Sequence, residues 1–201
     1  MVGAAAGTVV RVPGPEPCAS LYGLQLPDLQ PPELVLEARI AMSPAPENTG
    51  PDFSHYPGGE AQYRLRHSAA HVLATAVLEL FPEVKVAGGP PIDNGFYYDF
   101  ARPTPFTPED LEQIEARMRE IVARDQKFEH AVVTRDDAAK VWANEKYKLH
   151  FLSMIPDGAK VTTYRNGEFL DLCRGPHVES TGRLQAFKLT HVAGAYWLGS
   201  E

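Results

Sequence analysis

Apolar positions along this chain follow two periods, and the switches between them mark out its elements. Residues 64–81 are apolar except at Arg64, Arg66, His67, Ser68, His71, Thr75 and Glu79. That density predicts a helix packed on most of its circumference and stopped by Pro82, which lacks an N–H and clashes with the preceding turn. Residues 84–87 and 95–100 read as strands, the second following the Asn94-Gly95 turn signal and rich in aromatics. A second helix opens with Thr107 as N-cap, Pro108 at the first helical position and Asp110 closing a capping box. Leu111, Ile114, Met118, Ile121 and Val122 then recur at helical spacing. Thr134 with Asp137 predicts another capped helix to about residue 144, and 161–164 with 168–173, joined around Asn166-Gly167, predict a hairpin. Residues 185–192 and 195–198 add further strands. The sum is an α+β fold: a largely antiparallel sheet with helices packed on one face, preceded by a Pro/Gly-rich N-terminal segment.

Composition locates the change of character. Residues 1–60 hold ten of the 18 prolines and seven of the 16 glycines, with two basic and seven acidic side chains. Such a stretch buries little surface per residue, so 1–60 reads as a degenerate or linker-like segment and 61–201 as the folded domain. Within the segment, 7–12 and 33–42 alternate as short strands do. The net charge of -7 excludes a generic polyanion binder, so any nucleic-acid contact must be local. No apolar run approaches the roughly 20 residues of a membrane span, and no signal-peptide pattern opens the chain. Cys18 and Cys173 stand alone and far apart, which fits a reducing, cytoplasmic setting without a disulfide framework.

The chemistry concentrates in two short motifs. His67 and His71 lie one helical turn apart and project from the same face, as a metal, a reacting group or a satisfied core pair would require. Cys173 and His177 repeat the spacing in Cys-Arg-Gly-Pro-His, where Gly175 and Pro176 make a turn rather than a helix. Together, His67, His71, Cys173 and His177 form an acceptable tetrahedral zinc set. Asp171, alternate with Cys173 along a strand, should share its face and could orient a histidine or a sugar hydroxyl, or lie on a solvated face. Lys148 could supply a cation to an oxyanion; a lone lysine is more often a solvated charge. Tyr98 lies in the aromatic strand, where core packing is the default for it or for Tyr97. Arg174, Arg183 and Lys188 cluster around the Cys-His turn as a local phosphate-contacting patch or as scattered surface cations.

Several ordered motifs then carry a resemblance over about residues 64–197. These are His67-Ser-Ala-Ala-His71, Gly89-Pro-Pro-Ile-Asp-Asn-Gly-Phe-Tyr-Tyr-Asp99, Asp171-Leu-Cys-Arg-Gly-Pro-His177, Phe187-Lys-Leu189 and Gly194-Ala-Tyr-Trp197. They are similar to the editing domain of bacterial threonyl-tRNA synthetases, within a superfamily that includes the alanyl-tRNA synthetase editing domain. The resemblance implies a deacylase for mischarged tRNA, with seryl-tRNA(Thr) preferred. It marks His67, Lys148, Asp171, Cys173 and His177 as catalytic residues, with His71, Tyr98 and Arg174 binding substrate. It implies no cofactor for the threonyl branch, whereas the alanyl relatives use the His-His-Cys-His pattern for zinc. The implied partners are a tRNA acceptor end and a threonyl-tRNA synthetase, with no membrane.

The chain also departs from that family. A full synthetase continues into an ATP-using catalytic core, whereas this sequence stops at Glu201, so ligase activity is expected to be absent. Leu198 stands where the family usually places arginine. Three readings follow: a free-standing editing factor acting in trans, a truncated or split synthetase fragment, and a non-catalytic tRNA-binding or partner-binding module.

Overall fold

The computed structural model describes residues 8–13, 24–25, 43–44 and 53–193. Its strands are β1 (Thr8–Pro13), β2 (Leu24–Gln25), β3 (Ser43–Pro44), β4 (Val84–Val86), β5 (Pro91–Ile92), β6 (Gly95–Ala101), β7 (Glu129–Val133), β8 (Val161–Asn166), β9 (Phe169–Leu172) and β10 (His191–Ala193). The helices are α1 (Gly59–Leu80), α2 (Pro108–Ala123), α3 (Arg135–Val141) and α4 (Lys146–Met154). Every pairing is antiparallel, and the strands divide between two sheets. One runs β10-β1-β6-β4-β2 with β5 also on β6; the other runs β3-β7-β8-β9. The fold is α+β, as the sequence pattern predicts. The alternating stretch at 7–12 is β1, which lies between β6 and β10. Residues 33–42 and 195–198 lie outside the described residues.

Helix α1 organises the core. Residues 69–70, 72–74 and 76–77 are buried against β4, β6 and α2, through Val84, Phe96, Tyr98, Phe100, Ile114, Met118 and Ile121. It begins five residues before the predicted start, because Gly58 and Gly59 take positive φ and turn the chain into it. Glu60 then pairs with Arg64 across the first turn. Helix α2 starts as its cap chemistry dictates: Asp110 N–H donates to Thr107 Oγ1 at 3.2 Å and Thr107 N–H to Asp110 Oδ2 at 2.9 Å.

Three segments differ from expectation. The predicted helix to residue 144 ends at Val141, and a second helix, α4, follows a turn at 142–145. Tyr147 and Phe151 of α4 settle on Ala87 and Ala101, so an apolar seat on the first sheet makes a helix of a stretch to which no element was assigned. Strand β7 is likewise unforeseen. Residues 184–190 are irregular instead of a strand, because a side chain supplies their partner: Glu115, buried on α2, accepts Leu189 N–H at 2.7 Å and Lys188 Nζ at 3.1 Å. With the Glu115 carboxylate in the place of a neighbouring strand, pairing resumes only at β10.

Replacing Glu115 with alanine should therefore strip Leu189 N–H of its buried acceptor. We expect a loss of about 2 kcal/mol in unfolding free energy, read from urea titration; an unchanged midpoint would show that another group replaces it.

Candidate active site

Five segments meet at one buried place. Helix α1 carries a polar stripe: Arg64, His67, Ser68, His71 and Thr75 fall at helical spacing on one face. Opposite lie Asp171 near the end of β9 and the 173–177 turn, with Tyr98 of β6, Lys148 of α4 and the carbonyl of Ala87 closing the floor.

The turn is shaped by its glycine. Gly175 has φ +66, and a Cβ there would stand 2.5 Å from the Tyr164 ring. Its N–H donates to Cys173 Sγ at 3.2 Å. The turn is held against α1 by Arg64, whose Nη1 donates to the His177 carbonyl at 2.7 Å, and by Ser68, whose Oγ accepts Val178 N–H at 3.0 Å. Cys173 Sγ thereby sits 3.3 Å from His67 Nε2 and 3.3 Å from His177 Nε2. His67 Nδ1 lies 3.2 Å from the Pro176 carbonyl, and His177 Nδ1 lies 3.0 Å from Ser68 Oγ. The His177 ring stacks on Phe128, with centroids 4.8 Å apart and planes at 6°.

The second half of the site is ionic. Lys148 is 2 % exposed and pairs with Asp171; its Nζ also donates to Ala87 O at 2.7 Å and Tyr98 Oη at 3.1 Å. Tyr98 Oη in turn donates to Asp171 Oδ2 at 2.6 Å, and His71 Nε2 stands 3.6 Å from that same oxygen. Burial alone would raise the Asp171 carboxyl, but the Lys148 ammonium, helped by His71 and Tyr98, holds it below its ordinary value. Burial pushes His67 down to about 4, His71 down to about 3 and His177 well below the usual range, and it pushes the Cys173 thiol up. Neutral rings and a neutral thiol therefore face one buried ion pair.

The structure thus brings together His67, His71, Tyr98, Lys148, Asp171, Cys173 and His177, while Arg174 is exposed at the turn beside them. Ser68 and the carbonyls of Ala87 and Pro176 are parts of the site that the sequence reading passed over. Ser68 had one signal, its place in the polar stripe of α1; the carbonyls had none. The donor atoms of His67, His71, Cys173 and His177 all lie within 4.8 Å of one another, and His71 Nδ1 is buried without a hydrogen-bond partner. These residues fit a zinc ion.

A buried α+β pocket pairing His-x-x-x-His on a helix with Cys-x-x-x-His after a strand defines a class, and the comparisons supply its kind. Residues 161–200 match the second additional domain of threonyl and alanyl tRNA synthetases. The threonine–tRNA ligase of Acidobacterium capsulatum is 56% identical over 145 residues, covering 71% of this chain and 21% of the ligase. That of Paramagnetospirillum magneticum is 57% identical over 147 residues, 72% of this chain and 23% of the ligase. That of Granulibacter bethesdensis is 59% identical over 140 residues, 68% and 22% respectively. The chain is threonyl-tRNA synthetase-like and carries the editing-domain module of those enzymes. It spans about a fifth of the length of these curated relatives. No helix among the described residues is long and apolar enough to cross a membrane.

The buried histidines set a pH dependence. A histidine whose folded value lies below its unfolded value near 6.5 is fully stabilising above that pH and loses its contribution as pH falls toward the folded value. His67, His71 and His177 each add up to about 1.4 kcal/mol per pH unit in that window. Asp99, pushed up to about 7 by burial, and Glu145, also raised by burial, act in the opposite sense, leaving the histidines ahead. Urea midpoints should fall steeply from pH 6.5 to 4.5, and equal midpoints at both ends would contradict a buried neutral cluster.

Proposed function

We propose that this domain hydrolyses the ester of a mischarged aminoacyl-tRNA, with seryl-tRNA(Thr) preferred over threonyl-tRNA(Thr). The observation that carries the reading is the convergence of His67, Lys148, Asp171, Cys173 and His177 in one buried pocket of a threonyl-tRNA synthetase-like domain. The physical need for such a pocket is clear. A site that accepts threonine disfavours serine, smaller by one methyl, by only about 1–3 kcal/mol, whereas a second pocket sized for serine rejects threonine by clash.

His67 is neutral above about pH 4, the state in which a ring can hold and deprotonate an attacking water. Lys148, which donates to Ala87 O and Tyr98 Oη and pairs with Asp171, brings a positive charge to the developing oxyanion. Asp171 and His177 hold the terminal adenosine and the amino group, His71 and Tyr98 line the pocket, and Arg174 meets the acceptor-end phosphates. The partner is the aminoacylated acceptor end in the cytoplasm. With a net charge of -7 the chain binds tRNA weakly unless a threonyl-tRNA synthetase helps to recruit it.

We read the site as metal-free. Its support is that both nitrogens of His67 and of His177, and Sγ of Cys173, already have partners within the protein. Were zinc bound, His67, His71, Cys173 and His177 would hold it, and it would supply Lewis acidity. Elemental analysis of protein purified without chelator should give far less than one zinc per chain; one equivalent would overturn the metal-free reading.

The direct test is deacylation of seryl-tRNA(Thr), threonyl-tRNA(Thr) and alanyl-tRNA by the 201-residue chain. Rapid loss of serine with threonine spared is expected, and His67→Ala should slow it by about a hundredfold or more. Release of alanine instead would move the protein to the alanyl branch. Tight binding of aminoacylated ends without hydrolysis would make it a binding module. Lys148→Ala leaves Asp171 buried and unpaired, at about 3–5 kcal/mol, so its rate is read only beside a folding control.

A further inference from the structure

We propose that Ser68 fixes which ring nitrogen of His177 carries the proton, and so makes His177 a hydrogen-bond donor and His67 an acceptor on the two sides of Cys173. The kinetic consequence rests on the hydrolytic reading above, and the assignment on hydrogen-bond geometry in the metal-free site, because a metal at Nε2 would displace the proton there.

Ser68 is fully buried, and its Oγ meets two groups, Val178 N–H at 3.0 Å and His177 Nδ1 at 3.0 Å. A backbone N–H can only donate. If Nδ1 also carried a proton, both neighbours would donate to the oxygen, and the hydroxyl hydrogen would be left buried with no acceptor among these contacts. Leaving a buried donor unsatisfied is the costly arrangement. The Ser68 hydroxyl therefore donates to Nδ1, and the neutral His177 ring carries its proton on Nε2, 3.3 Å from Cys173 Sγ.

His67 comes out the other way. Its Nδ1 faces the Pro176 carbonyl at 3.2 Å, and a carbonyl only accepts, so Nδ1 carries the proton and Nε2 is bare. That bare nitrogen is 3.3 Å from the same sulfur. Sγ already receives Gly175 N–H and His177 Nε2–H, so the thiol hydrogen points to His67 Nε2. One direction then runs through the site: Val178 N–H to Ser68, Ser68 to His177, His177 to Cys173, and Cys173 to His67. No step needs an ionised group.

The two histidines beside Cys173 are therefore chemically opposite. His67 Nε2 carries a lone pair, which a water proton can enter once the water displaces the weak S–H donor of Cys173. His177 presents an N–H, which suits a substrate oxygen or the lone pair of a neutral amino group rather than an ammonium. In the reverse arrangement, with Nδ1–H donated to Ser68, His177 Nε2 would be bare and ligand-like, as the rings of metal sites are. Ser68 thus acts as a positioning residue, one step removed from the reacting atoms.

Long-range proton–nitrogen NMR correlation on the full-length 15N-labelled chain distinguishes the two neutral ring forms. His177, assigned by the loss of its signals in His177→Asn, should be protonated at Nε2 and bare at Nδ1, with His67 the reverse. In Ser68→Ala the His177 pattern should move toward the Nδ1–H form, and kcat on seryl-tRNA(Thr) should fall about tenfold with KM little changed. Ser68→Thr, which keeps the hydroxyl, should retain the wild-type pattern and most of the rate. A wild-type His177 protonated at Nδ1, or a His177 pattern unchanged by Ser68→Ala, would overturn the assignment. The wild-type spectrum decides even where a variant fails to fold. A chain that shows the expected ring forms yet hydrolyses no ester would instead strike the functional reading and leave the role of Ser68 standing.

Discussion

The buried ion pair between Lys148 and Asp171 is the constraint on which the rest of the site depends. Two opposite charges taken out of water are tolerable only when each is closely matched. The match here requires Ala87 just after β4, Tyr98 on β6, Asp171 on β9 and Lys148 on α4 to hold their places together. A displacement of α4 would strand a carboxylate, and a displacement of β9 would strand an ammonium. The pair thus ties a helix to strands from both sheets and sets the floor above which the histidines and the thiol are arranged. Because that floor is already neutral as a unit, the rings above it can stay uncharged.

Much of this was legible in the sequence where local chemistry decides the outcome. Thr107, Pro108 and Asp110 specify the start of α2 by themselves, and the apolar run of 64–81 specifies a buried helix. Legibility ended where a distant partner decides. Residues 146–154 are helical because Tyr147 and Phe151 find an apolar seat at Ala87 and Ala101, a surface absent from their own sequence window. Residues 185–192 read as a strand in sequence, yet Glu115, more than seventy positions earlier, takes the backbone donor of Leu189.

The site divides along the same line. The His-x-x-x-His and Cys-x-x-x-His spacings state which side chains share a face, and Asp171 follows from strand alternation. Lys148 by itself reads more readily as a solvated charge than as an oxyanion partner, the family resemblance supplies its catalytic role, and no local pattern marks the helix that carries it. Ser68 sat in plain view inside the histidine motif, on the polar stripe of α1. Its partner lies 109 positions away, and no local pattern pairs the two.

That distance has a consequence for how the pocket comes into being. Arg64 to His71, Ala87 and Tyr98, Lys148, and the 171–177 segment are separated by long stretches of chain, and the hydrogen bonds between them span up to 113 positions. No stretch short enough to fold locally holds both halves. Closing such contacts is among the slower steps in folding, because loop entropy must be overcome before the contacts form. A half-made chain therefore presents separate histidines and a stray lysine, and the assembled pocket arrives only with the finished core. The proposed ester cleavage would then report complete folding as directly as any spectroscopic probe.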